Sequence, residues 1–216
     1  MLLAARAGLK TAIVDLTEGE LSTNGDPARR SAERDAASEL LGLATRVSLG
    51  LPDGSLGTDG HRVAVVETLR ELAPRVVLAP YWEDRHPDHE AAGRIVRDAC
   101  FFSGVRKYAT GRAHRPRRVY WYMLHHVFEP SVVIDVSPVW DDRCRLFEVY
   151  RSQLSAGVLS AINDGAFVEM LRARATSYGA MVGVTHGEPF HVVGPLGLSA
   201  LPGVGDSSDS RYQSYV

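Results

Sequence analysis

Residues 84–90 read Asp-Arg-His-Pro-Asp-His-Glu, two imidazoles three residues apart with carboxylates on either side. Such a set suits two kinds of chemistry. Imidazole and carboxylate are common zinc ligands, and a catalytic zinc takes three protein ligands and a water. A histidine beside a carboxylate can also carry a proton near neutral pH as a general acid or base. A third reading is structural only: Asp84 and Asp88 favour the positive end of a helix dipole while the histidines face solvent. Two histidines at this spacing supply too few ligands to name a metal by themselves.

The flanking pattern says what must position these groups. Arg75 to Pro80 is a short apolar run of the kind that forms a buried strand, and Ala91, Ala92, Ile95, Val96, Ala99 and Cys100 then recur at helical spacing. Pro87 suits the first turn of that helix, where a missing N–H costs nothing. The histidines thus fall where a strand hands over to a helix, the end of an open α/β sheet at which ligands bind.

Upstream, Lys10 to Leu16 and Thr45 to Gly50 read as strands. A helix beginning near Arg30 carries Ala36, Ala37, Leu40 and Leu41, and another from His61 to Ala73 carries Val65, Val66, Leu69 and Leu72. This alternation predicts right-handed βαβ units in a mainly parallel sheet. The polar stretch from Thr17 to Pro27 follows a strand's carboxyl end and is a candidate for lining a site.

Downstream, Val119 to Leu124 and Val132 to Val136 read as strands, with His125 and His126 in the loop between them. As a loop pair they are expected to face solvent or hydrogen-bond rather than bind metal. Helices are expected over Ser137 to Leu154, with Trp140, Cys144, Phe147 and Tyr150 inward, and over Phe167 to Tyr178, ended by Gly179. One α/β domain therefore spans residues 1–202, and the Ser, Asp and Gly-rich stretch 203–216 is expected to be a disordered tail.

With 24 basic against 26 acidic residues, the chain offers no field for nucleic acid or an anionic membrane. Its apolar runs are too short to span a bilayer, and the opening residues lack the features of a signal peptide, so a cytoplasmic protein is expected. Cys100 and Cys144 fall on apolar helix faces and are expected to be free thiols. Leu2 to Ala5 look like the end of an amphipathic helix with no N-cap before it, which suggests that a first strand and half a helix are missing.

Five segments in order carry a resemblance: Asp15 to Gly25, Arg30 with Glu33, Leu51-Pro52-Asp53, Asp84 to His89, and Tyr150-Arg151-Ser152-Gln153. They resemble successive motifs of the PIG-L (LmbE-like) zinc-dependent N-acetylglucosaminyl deacetylases, above all the bacillithiol-pathway branch acting on N-acetylglucosaminyl malate. The similarity runs to about residue 190. It implies a Rossmann-like sheet with helices on both faces, its first and central strand missing here. It also implies one zinc per subunit held by two histidines and an aspartate, a small-molecule GlcNAc conjugate as substrate, and a homo-oligomer, often a hexamer.

By the same resemblance His89 is one metal ligand, His86 stabilises the tetrahedral intermediate, and Asp88 orients His86. The other two ligands and the general base belong to an Ala-His-Pro-Asp-Asp motif that this sequence does not contain, so the chain as given is expected to be inactive and marginally stable. Arg30 and Arg85 would fork onto the malate carboxylates, Ser22 and Asn24 would meet sugar hydroxyls, and Tyr178 lies where the family has a tyrosine near the reacting carbonyl. Two alternatives stay open: a deacetylase of another conjugate, such as the inositol one of mycothiol biosynthesis, and a truncated, non-catalytic sugar-binding homologue.

Overall fold

A computed structural model of the chain describes residues 1–22, 27–150, 152 and 166–198. In order these form α1 (Leu2–Arg6), β1 (Ala12–Thr17), α2 (Pro27–Leu41), β2 (Thr45–Leu51), α3 (Asp59–Leu72), β3 (Val76–Pro80), α4 (Pro87–Phe102), β4 (Arg118–Tyr122) and β5 (Val132–Asp135). A 3-10 turn (Ser137–Val139) leads into α5 (Trp140–Val149), followed by α6 (Ala166–Met181) and β6 (Gly187–His191).

β1 and β2 pair in parallel, as do β3 and β4, which is the alternation read from the sequence. Both pairs lie under one helical cover. Leu16 and Leu49 from the first pair, and Val77 and Val119 from the second, pack on Val65, Val66, Leu69, Ile95, Ala99 and Cys100 of α3 and α4. A fully buried Val, Leu or Ile in such a layer contributes about 1.5–3 kcal/mol and the partly buried strand residues less, so this shared layer holds the two pairs together. A second cluster joins Val136, Val139, Trp140 and Ala175 to Leu2 and Leu3 of α1.

β6 was not expected. Its sequence, Gly-Glu-Pro-Phe-His, has neither apolar alternation nor a run of β-branched residues. It nevertheless enters antiparallel between β4 and β5, giving the order β3-β4-β6-β5, so this sheet is mixed where a mainly parallel one was predicted. Tertiary pairing on both edges overrides its weak propensity.

Two helix boundaries also differ from expectation. The helix expected over Ser137 to Leu154 begins as a 3-10 turn, with the Ser137 hydroxyl accepting from the His186 amide at 2.9 Å instead of capping the helix, and α5 ends at Val149, where Tyr150 leaves helical geometry at φ −87° and ψ 35°. Gly179 does not end α6 but lies within it, where a Cβ would come 2.8 Å from the Val184 carbonyl oxygen and 2.9 Å from the His186 and Gly187 amides. The glycine is needed for close approach. The chain turns beyond it, through Gly183 at φ +75°. The expected tail at 203–216 lies outside the described residues.

Long-range polar links fix the remaining elements. Glu33 on α2 accepts from the Ser152 amide at 2.9 Å and its hydroxyl at 2.6 Å, so two segments of the sequence resemblance meet in space. Arg46 on β2 forks onto Asp15 of β1 at 2.6 and 2.9 Å. Arg70, 6% exposed, donates to the carbonyls of Ser103, Val105, Ala109 and Thr110, pinning the loop that follows α4.

α4 is the element that carries the histidines. His86 is its N-cap, Pro87 stands in its first turn, and Asp88 and Glu90 favour the dipole there. The helix lies so close to the end of β3 that a Cβ on Gly93 would meet the Pro80 carbonyl oxygen at 2.8 Å and the Trp82 Cα at 3.0 Å. Gly93→Ala should therefore destabilise the protein by about 1–2 kcal/mol, since overpacking costs more than the helix propensity gained. Denaturant titration would check this; an unchanged or raised midpoint would show that the strand end yields.

Candidate active site

Parallel pairing of Pro80 with Tyr122 sets the carboxyl ends of β3 and β4 side by side, so the loops beginning at Tyr81 and Met123 must meet. They meet on Asp84. Its Oδ1 accepts from the His86 amide at 3.0 Å, and its Oδ2 accepts from the amides of His125 at 2.8 Å and His126 at 3.2 Å. Oδ1 also lies 3.0 Å from Nδ1 of His89 and 3.0 Å from Nδ1 of His125. The carboxylate is 3% exposed.

Burial alone would raise the Asp84 pKa, but the His125 ring, the amides of His86 and His125, and the His89 ring together hold it well below the usual carboxylate range. For His89 the balance runs the other way. Its burial lowers the imidazole pKa, against the pull of Asp84, and so favours the neutral ring that can ligate a cation. Asp84, His89 and His125 each offer a ligand atom, and these atoms lie within 4.8 Å of one another. Two imidazoles and a carboxylate are a donor set that zinc uses, so the residues present fit that metal.

His125 therefore does not face solvent. Its side chain is 17% exposed, its hydrogen bonds go to Asp84, and its ring lies 5.4 Å from that of His89 at an interplanar angle of 6°. Phe167 of α6 approaches it at 6.1 Å, and Arg174 holds the preceding carbonyl, that of Leu124, at 2.7 Å. His126 is the exposed member of the pair, at 49%, with its Nε2 3.7 Å from Glu83.

The structure brings His86 and His89 together, with ring centroids 4.6 Å apart. Asp88 does not join them. Its carboxylate accepts from the amides of Gly54 at 2.7 Å and Leu56 at 3.3 Å, in the loop after β2, so the expected contact of that carboxylate with the His86 ring is absent. The reason is local. His86 Nδ1 accepts the Asp88 amide as a helix cap, which turns the Asp88 side chain toward the neighbouring loop. A neutral His86 ring holding that bond has its proton on Nε2.

The predicted substrate residues are dispersed. Arg30 donates to the Gly19 carbonyl, beneath the turn that Gly19 makes at φ +67°. Arg85 is exposed beside His86, and the Ser22 amide donates to Gly19 O at 3.0 Å. The Tyr178 hydroxyl donates to Phe128 O at 3.4 Å, and Asn24 lies outside the described residues. Carboxylates tie the loops behind the histidines in sequence: Asp53 accepts the Leu21 amide, Glu20 accepts the Asp53 amide, and Asp88 accepts the Gly54 amide.

Cys100 and Cys144 are free thiols, and burial pushes Cys100 up to about 12. Among the described residues no helix is long and apolar enough to cross a membrane.

Comparison with known proteins finds relatives in sequence and in fold. Residues 1–100 match the family described as PIG-L, GlcNAc-PI de-N-acetylase. The chain is 28% identical over 196 residues to the diacetylchitobiose deacetylase of Thermococcus kodakarensis, covering 86% of this chain and 70% of that protein. A conserved protein of Thermus thermophilus, of known crystal structure, is 37% identical, with a TM-score of 0.84 over 93% of this chain and 88% of that one. The N,N'-diacetylchitobiose deacetylase of Pyrococcus horikoshii shares the fold at 22% identity, with a TM-score of 0.76 over 88% and 75% of the two chains.

Because the folded Asp84 carboxyl sits below its ordinary pKa of 3.8, its contribution to stability is whole above about pH 4 and fades as the pH falls further. Asp84→Asn should therefore be less stable than wild type by about 2–3 kcal/mol at pH 6. The gap should narrow toward pH 3 in denaturant titrations. A gap that did not change with pH would show that the carboxylate charge is not what these donors hold.

Proposed function

We propose that the chain is a PIG-L-type, zinc-dependent N-deacetylase of a small GlcNAc conjugate, with the metal at the cluster of Asp84, His89 and His125. One observation carries this reading: a buried carboxylate and two imidazoles converge at the adjoining ends of β3 and β4, with His86 beside them. Zinc bound there would polarise the acetamido carbonyl and bring the pKa of a water toward about 7.

The side chains around that point divide the remaining work. Neutral His86, capping α4 through Nδ1, presents Nε2–H at the rim and can donate to the oxyanion as it forms. Asp88 acts through position, since its grip on Gly54 and Leu56 fixes the first turn of α4 against the loop after β2. Asp84 is unsuited to take a proton from water, because five donors stabilise its charged form.

The finer choice of substrate is N-acetylglucosaminyl malate, supported by the order of the motifs and by Arg85 exposed beside His86, where a carboxylate could dock. Arg30 serves that clamp less directly, since it is bonded to the turn at Gly19. Diacetylchitobiose is the second candidate, supported by similarity to the Thermococcus enzyme.

The test is acetate release by the zinc-loaded protein from the malate glycoside, diacetylchitobiose and the inositol conjugate. Against the expectation of an inactive chain, His125 supplies a second imidazole beside Asp84 and His89, so release from at least one, abolished by chelator and restored by zinc, is expected; no acetate from any of the three would overturn the reading. His86→Asn, which retains a cap acceptor, should lower kcat by about 10²–10³-fold while zinc content stays the same. Equal loss of metal and turnover would instead place His86 among the ligands.

A further inference from the structure

The whole chain is close to neutral, but its charges are not evenly spread. No carboxylate occurs between Asp98 and Glu129, and that stretch carries Arg106, Lys107, Arg112, Arg115 and Arg117 at exposed positions. α4 ends at Phe102, and β4, parallel to β3, begins at Arg118. The connection therefore lies at the amino ends of these strands, at the opposite end of the sheet from Asp84. Exposed Arg75 joins it there, since its carbonyl accepts the Arg117 amide at 2.8 Å. Elsewhere Arg34, Arg46, Arg62, Arg94 and Arg143 each hold a carboxylate at 2.6 to 3.1 Å. Among the described residues none of the cations at this end has such a partner.

The loop is nevertheless firmly built. Buried Arg70 donates to the carbonyls of Val105 and Ala109, on either side of the turn that bears Arg106 and Lys107, and the Tyr108 amide closes that turn on Val105 O at 3.0 Å. Ser103 O accepts from the His114 amide at 2.9 Å, and the His114 ring lies 2.7 Å from Pro74 O. Apolar groups stand among the cations: Phe101 is 56% exposed and Val105 37%, with the Arg115 guanidinium 4.7 Å from the centre of the Phe101 ring. Tyr108 stacks on Phe102 at 4.3 Å and its hydroxyl accepts from Arg62 at 2.6 Å, so these two rings are spent on each other rather than offered to a nucleobase.

We propose that this end of the sheet is a docking surface for an anionic phospholipid bilayer, where the unpaired cations meet the headgroups and Phe101 and Val105 enter the interface. Cations with no internal carboxylate give up no ion pair when they meet lipid phosphates, and exposed apolar side chains gain by leaving water. Reversible attachment needs both signals together. The expectation drawn from net charge averaged over this patch. A chain docked in this way keeps the carboxyl ends of β3 and β4 turned from the bilayer, open to a small conjugate in solution. The inference does not depend on which reaction the site performs.

The test is co-sedimentation of the full chain with vesicles of phosphatidylcholine alone and of equal parts phosphatidylcholine and phosphatidylglycerol. Binding to the anionic vesicles at about 0.1 M NaCl, lost at about 1 M, and no binding to the neutral ones are expected. Arg106→Gln, Lys107→Gln, Arg112→Gln and Arg117→Gln combined remove charges whose side chains hold nothing else among the described residues, so the fold should be kept. At about fivefold per charge, affinity for the anionic vesicles should fall by more than about 100-fold. Phe101→Ser keeps every charge and should lower it about tenfold. Failure to bind the anionic vesicles, equal binding to the neutral ones, or unchanged binding by either folded variant would overturn the proposal; the lipid and salt comparisons need no variant. Tighter binding to a single-stranded oligonucleotide than to the vesicles would also overturn it, by marking a nucleic-acid surface instead.

Discussion

A carboxylate removed from water must be surrounded by donors or it will not stay charged, and the end of this sheet is organised around meeting that requirement for Asp84. The donors come from three places: the turn into α4, the first turn of α4 itself, and the loop after β4. None of these could shift alone without leaving charge unpaired. The strand pairing brings the loops together, and the shared charge fixes their conformation.

The same logic extends outward in weaker form. Loop amides that no strand or helix would satisfy find carboxylates of the next loop, from Glu20 to Asp53 to Asp88, so the ends of β1, β2 and β3 act as one surface. Underneath, α3 and α4 press on both parallel pairs, and Gly93 lets α4 descend onto the strand end. The acidic residues behind the histidines are thus largely architectural, Asp88 included.

Much of this is legible in the sequence. Periodicity located β1 to β3 and α2 to α4 because each is built from local pattern, and Pro87 marked the first turn of α4. His86 and His89 could be singled out because strand, turn and helix follow one another without a break. His125 could not, since its role depends on β4 lying beside β3, which no local pattern encodes. Asp88 was misjudged for a related reason: its nearest neighbour in sequence is His86, but its partners are amides more than thirty residues away. β6 escaped because proline and glutamate in a five-residue strand carry no signal until both its edges are filled.

The position of β6 bears on how the molecule is made. It wedges between β4 and β5 yet is encoded after α6, so on the ribosome both earlier strands emerge with an open edge and must wait for the last strand to arrive. Pairing over such sequence separation is slow because a long loop has to close first, and exposed edges are where nascent chains stick to one another. The β1–β2 pair and β3 can condense early with α3 and α4, whereas the β4 and β5 side of the four-stranded sheet is completed only near the end of synthesis.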